Sequence, residues 1–134
     1  QDAEAGFVIP RFINQAKENS PMTVFGDGTQ IRCFTYVKDV VDAMIYIMKS
    51  DAKKEIFNVG NPNNKITINE LAYKIRNMLK SKSDIIHVDP KTIYGPHYAE
   101  AWNKIPDITK LQEFVFKPHW SLDDGLNEMI GNDN

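Results

Sequence analysis

Apolar residues recur along this chain with two interleaved periods, one near 3.6 residues and one of two. In residues 6–20, Phe7, Val8, Phe12, Ile13 and Ala16 fall at helical spacing, and Pro10 is tolerated because it lies near the helix start. Ser20-Pro21 ends that segment. Two β-prone runs then flank Gly26-Asp27-Gly28, and an Asp-Gly pair favours a hairpin because both positions accept φ > 0. In the second run Ile31, Cys33, Thr35 and Val37 share one strand face, and Arg32, Phe34 and Tyr36 the other.

Asp39 stands where a helix N-cap would, ahead of a stripe of Val40, Val41, Met44, Ile47 and Met48. Glu55-Ile-Phe-Asn-Val-Gly60 reads as a short strand, closed by the turn-rich Gly60-Asn-Pro-Asn-Asn64. Thr67-Ile-Asn-Glu70 matches a capping box, and Ile68, Leu71, Ala72, Ile75 and Met78 give the cleanest amphipathic helix. Residues 84–88 read as another strand. The periodicity fades over residues 89–106, a loop carrying Tyr94, Tyr98 and Trp102, before a short helix from Asp107 and a last one from Ser121. Alternating strand and helix give an α/β class, locally α+β. Three or four short strands make a sheet that wants more neighbours.

Composition narrows the function classes. The 134 residues suit one domain, with 42% hydrophobic and 25% charged residues. A net charge of −2 supplies no basic field for nucleic acid or an acidic membrane. No apolar run approaches the ~18 residues of a membrane helix, and no signal-peptide pattern opens the chain. The lone Cys33 excludes an intrachain disulfide and fits a reducing cytoplasm. The first residue is Gln rather than Met, which reads as a fragment or a processed product.

The inventory of chemistry is mostly negative. Gly26 and Gly28 lack the third partner of GxGxxG, and there is no GxSxG and no HExxH. His87, His97 and His119 are scattered, and a solvated or structural role suits them better than a metal. Arg32 on its aromatic face offers a fork of donors suited to phosphate, or else a structural stack on Phe34 or an ion pair. The loop from Tyr94 to Lys104 is either functional or a surface excursion.

Seven pieces in order now matter together: Phe7-Val-Ile-Pro-Arg-Phe-Ile13, Met22-Thr-Val-Phe-Gly-Asp-Gly-Thr-Gln30, Arg32-Cys-Phe-Thr-Tyr-Val-Lys-Asp39, Ile56-Phe-Asn-Val-Gly-Asn61, Thr67-Ile-Asn-Glu-Leu-Ala72, Pro106-Asp-Ile-Thr-Lys110 and Pro118-His-Trp-Ser-Leu-Asp-Asp-Gly125. With them the chain resembles the C-terminal half of the NAD-dependent epimerase/dehydratase family, extended short-chain dehydrogenases acting on nucleotide sugars. The resemblance implies a small substrate-binding domain over residues 1–134, plus elements that would complete a Rossmann-type sheet. It implies Arg32 on the nucleotide diphosphate and Thr23, Val24 and Phe25 along the base. Val8 and Ile9 would touch the nucleotide through backbone, Tyr94 would approach it, and Asn103 and Lys104 would face the sugar or diphosphate.

The family's catalytic Tyr-x-x-x-Lys is absent: Tyr36, Tyr46, Tyr73, Tyr94 and Tyr98 are followed four positions later by Val40, Ser50, Asn77, Tyr98 and Trp102. The resemblance therefore implies that NAD is bound by an N-terminal half not in this chain, and that this chain alone is inactive. Hydride would pass from the sugar C4 of a UDP-sugar, or second a dTDP-sugar, to give a transient 4-keto sugar. A 4-epimerase is the first reading. Many relatives, decarboxylases included, carry arginine where Lys104 stands and arginine or histidine at Asn103, which weighs against a decarboxylase. The alternatives are a dTDP-sugar dehydratase, a UDP-glucuronate decarboxylase and a stand-alone nucleotide-sugar-binding module. The first helix and residues 56–59 would pack on the missing half, so exposed apolar surface would drive homo-oligomer formation.

Overall fold

The structure, a computed structural model, describes residues 7–99, 101–114 and 116–131. Gly6, the first residue of the first predicted segment, lies outside them. The chain forms two compact units, Gln1–Gln30 with Ile66–Trp102 and Ile31–Lys65 with Asn103–Asn134. Both are mixed helix and strand, in line with the expected α/β class.

In the first unit α1 (Val8–Lys17) and α3 (Ile68–Met78) pack together and on β1 (Met22–Phe25). Phe12, Ile13 and Ala16 of α1 meet a core built with Met22, Val24, Leu71, Ala72 and Ile75. The α1 and α3 members of this core all lie on the stripes that helical periodicity marks, whereas Phe7 of the first stripe is exposed. β1 pairs in parallel with β4 (Ile85–Val88), Met22 opposite Ile85 and Phe25 opposite Val88. The expected hairpin is therefore absent. Gly26 and Gly28 have φ of 73° and 74°, but Asp27 does not join them in that region, so Asp27-Gly28 is not the type I′ turn its sequence suggests. Asp27 instead accepts from the Thr29 N–H at 2.9 Å, an Asx turn. Gly28 is required twice over, by its φ and because a Cβ there would run into the Asn69 side chain.

α3 opens as its sequence says. The Thr67 N–H donates to Glu70 Oε2 at 2.9 Å and the Glu70 N–H to Thr67 Oγ1 at 3.1 Å. The Thr67 backbone N–H, and after it the Thr67 hydroxyl donating to Glu70 Oε2 at 2.8 Å, hold the Glu70 carboxyl below its ordinary pKa. A lowered folded-state value means that the unfolded chain binds more protons in acid. The box thus stabilises fully above the unfolded glutamate pKa and fades as pH falls through the folded one. Urea midpoints between about pH 5 and pH 3 should fall more steeply for the native chain than for Glu70→Gln. Parallel curves would remove the box from the stability balance.

The second unit holds β2 (Ile31–Cys33), α2 (Val37–Lys49), β5 (Asn103–Lys104), α5 (Thr109–Glu113) and α6 (Leu122–Gly131). β3 (Lys65–Thr67) lies where the chain passes from this unit to the first, and α4 (Lys91–Tyr94) belongs to the first. The core joins Ala43, Ile108, Leu111 and Phe116, with Ile47, Phe57 and Val59 against it. Asp39 does not cap a helix. α2 begins at Val37, and Asp39 in its first turn is fully buried, accepting from the backbone N–H of His119 at 2.8 Å and Trp120 at 3.1 Å.

Two further expectations change. Residues 55–60 form no strand; Lys110 pins them instead, donating to Glu55 Oε2 and to the Ile56 carbonyl, while its ammonium lies 4.8 Å from the centre of the Phe57 ring. The predicted α2 stripe is split: Val41, Met44 and Met48 are exposed, Val40 and Ile47 are half-buried, and the buried residues are Asp39 and Ala43. Exposed apolar side chains thus include these three of α2, Phe7 at the start of the first predicted segment, and Ile56, which is 87% exposed.

Candidate nucleotide-sugar site

The second unit brings three of the expected residues together. β2 and β5 run parallel with Ile31 opposite Asn103 and Arg32 opposite Lys104. Residues opposite one another in a parallel ladder project from the same face, on strands about 4.8 Å apart. Two cations are thus presented side by side, a guanidinium fork and an ammonium. Arg32 is half-buried and anchored by an Nη1 bond of 2.8 Å to its own strand at the Ile31 carbonyl. Lys104 is exposed. A pair of this kind is complementary to a dianion such as a diphosphate. The aromatic company expected for Arg32 is altered. The Tyr36 ring packs on Trp120, centroids 4.4 Å apart, and the strand itself stops at Cys33.

The first unit holds the others. Val8 and Ile9 open α1, whose first-turn N–H groups have no partner within the helix. Val24 is wholly buried in the core, so its side chain is structural. Thr23 is clamped from α1: its N–H donates to Gln15 Oε1 at 3.0 Å, and Arg11 Nη2 donates to its carbonyl at 3.2 Å. Phe25 is the hub. The Arg11 guanidinium lies 4.3 Å from its centroid, and Tyr94 meets it edge to face at 5.7 Å. Tyr94 in turn stacks on Tyr98 at 5.0 Å. Burial pulls the Arg11 pKa below its ordinary value, with the nearby Tyr94 phenolic group opposing.

Beside this cluster is a concavity of about 210 Å³ lined by Phe25, Gln30, Lys91, Tyr98 and Trp102, among others. Gln30, Arg11 and Lys91 had not been singled out. A sequence signal existed for Arg11, a charged side chain inside the apolar run of residues 7–13, but not for Gln30, which stands among Asp27, Gly28, Thr29 and Arg32. His87 is bonded to Asn69, 2.9 Å from Nε2 to Oδ1, a structural role. No group of three or more metal-binding side chains occurs among the described residues.

A family model described as the NAD dependent epimerase/dehydratase family matches residues 1–60. The chain belongs to that family. It is 41% identical over 131 residues to UDP-N-acetyl-alpha-D-glucosaminuronate decarboxylase of Bacillus cytotoxicus, a match covering 97% of this chain and 40% of that protein. To UDP-glucuronic acid decarboxylase 1 of Arabidopsis thaliana it is 36% identical over 126 residues, covering 93% of this chain and 27% of the other. The crystal structure of UDP-glucose 4-epimerase with UDP-glucose from Thermotoga maritima superposes with a TM-score of 0.81 at 25% identity, over 93% of this chain and 38% of that one. This epimerase/dehydratase chain thus spans less than half the length of these relatives and corresponds to their C-terminal part.

Proposed function

We propose that this chain is the nucleotide-sugar-binding portion of an NAD-dependent enzyme, with a UDP-sugar as its ligand and a dTDP-sugar as second choice. The observation that carries the reading is the parallel register setting Lys104 opposite Arg32, a pair suited to the diphosphate. Asn103, the residue before Lys104 in β5, falls on the other face of the ladder by the period of two, so it stands apart from the cation pair. Phe25 and Tyr94 offer flat apolar faces to the base, and Thr23 and the first turn of α1 at Val8 and Ile9 supply backbone around it.

NAD supplies a site that accepts hydride from the sugar and returns it. No residue of this chain is assigned to NAD, which falls to a polypeptide equivalent to the part of the relatives lying outside the match. This chain's work is to bind the nucleoside diphosphate part of the substrate. Decarboxylation of a UDP-linked uronic acid is the reaction that the 41% identity to a decarboxylase favours. 4-Epimerisation is the second reading, supported by the lysine at position 104 and by the likeness to an epimerase holding UDP-glucose.

Calorimetric titration of the purified chain with UDP, dTDP and NAD in separate runs tests the assignment. Binding of UDP without binding of NAD is the expected result. Failure to bind any nucleoside diphosphate at millimolar concentration overturns it.

A further inference from the structure

The β2–β5 ladder that sets Arg32 opposite Lys104 is two residue pairs long, and β2 itself ends at Cys33. Pairings this short are marginal unless something else fixes the strand. The chain just past β2 is held by a single residue. Asn64 takes both backbone groups of Phe34: its carbonyl accepts from the Phe34 N–H at 3.3 Å, and its Nδ2 donates to the Phe34 carbonyl at 3.0 Å. The same Nδ2 donates to the Trp120 carbonyl at 3.0 Å, and Oδ1 accepts from the Leu122 N–H at 3.0 Å. Two carbonyls at one end and an N–H at the other fix which end of the amide is which. Leu122 opens α6, where first-turn N–H groups lack partners within the helix, so Asn64 fastens Phe34 to a rigid element. Asn64 is 7% exposed, and bonds so shielded are costly to lose.

We propose that Asn64 is a positioning residue for the diphosphate. By fixing Phe34 to the entry of α6, it holds the β2 backbone, and with it Arg32 two residues back, in the register that faces Lys104. This rests on the nucleotide-binding reading above and adds the residue that keeps its cation pair in place. Asn64 acts through Phe34 and β2 rather than on the ligand. A guanidinium fork makes two directed bonds to a phosphate, so it loses more from a wandering backbone than a point charge does. Among side chains of this length, asparagine alone carries two donor hydrogens on one atom and an acceptor on its twin. Aspartate would set an oxygen against the carbonyls of Phe34 and Trp120.

Titration of the 134-residue chain with UDP in a double-mutant cycle provides the test. Asn64→Ala is expected to weaken UDP about fivefold or more in the native background. In Arg32→Ala the same change should cost less than about twofold, because no fork is left to position. A purely structural role would cost the same in both backgrounds. The native chain supplies a readout that needs no variant. Coupling between binding and the clamp is reciprocal, so UDP must tighten whatever tightens UDP. Saturating UDP should slow hydrogen exchange at the Phe34 N–H about fivefold more than at the Gln112 N–H, which donates to the Ile108 carbonyl in the same unit. Equal costs of Asn64→Ala with and without Arg32, or equal slowing of the two amides, overturns the positioning role and leaves nucleotide binding standing. If Asn64→Ala does not fold, the exchange comparison decides alone. Absence of UDP binding by the native chain removes both readings together.

Discussion

Replacing Asp39 by alanine should lower the unfolding free energy by about 3 kcal/mol, read as a fall in the urea midpoint at unchanged slope. Asp39 is fully buried, and its two oxygens accept separately from the backbone N–H of His119 and Trp120. Those bonds bridge 80 and 81 positions of sequence, so they tie the first turn of α2 to the entry of α6. Alanine leaves two backbone donors without their acceptors and opens a small void. Asparagine should be nearly as damaging, because its NH₂ end would face one of the two N–H groups donor to donor. The same corner carries Asn61 and Asn64, each donating from Nδ2 to the Trp120 carbonyl, so the loss should spread to Trp120 fluorescence. A midpoint for Asp39→Ala within error of the native one would show that water replaces the side chain without cost.

The second large effect is on binding. Arg32→Ala should weaken UDP by about 1.5–3 kcal/mol, the range for a hydrogen bond to a charged group. Arg32→Lys should fall between, since it keeps the charge and gives up the planar fork. Lys104→Ala should cost less, about 1 kcal/mol, because an exposed ammonium is screened by solvent and salt. Titrations at two ionic strengths separate the contributions: the Lys104 share should shrink with added salt more than the Arg32 share. Unchanged UDP affinity in a stable Arg32→Ala would return that arginine to a structural role and leave Lys104 without a functional companion.

Local signals were readable from the sequence and distant pairings were not. The Thr67–Glu70 box lies within one helical turn, and the structure reproduces it bond for bond. The inward residues of α1 and α3 follow the same logic, because a helical stripe reports its own buried face. The hairpin failed for a non-local reason. β1 takes β4 as its parallel partner, and nothing in Met22–Phe25 says which later segment will lie beside it. Asp39 looked like a cap because the residue type fits, whereas its actual acceptors' partners lie at the far end of the chain. For the site, resemblance supplied the residue types at Arg32, Asn103 and Lys104. Only the β2–β5 register puts two of them directly opposite one another. Gln30 escaped notice because what marks it, a buried Oε1 with no hydrogen-bond partner, is a property of packing, which no pattern of residue types displays.

Each of the two units is assembled from separated stretches, one from Gln1–Gln30 with Ile66–Trp102, the other from Ile31–Lys65 with Asn103–Asn134. Neither can be excised with a single pair of scissors at the gene level, and any truncation that spares one leaves the other missing a piece. A ribosome releases the opening segment of each long before its complement exists, so both wait on late synthesis to consolidate. Engineering by loop rewiring, joining each separated pair through a new linker, is the route by which either could be made to stand alone.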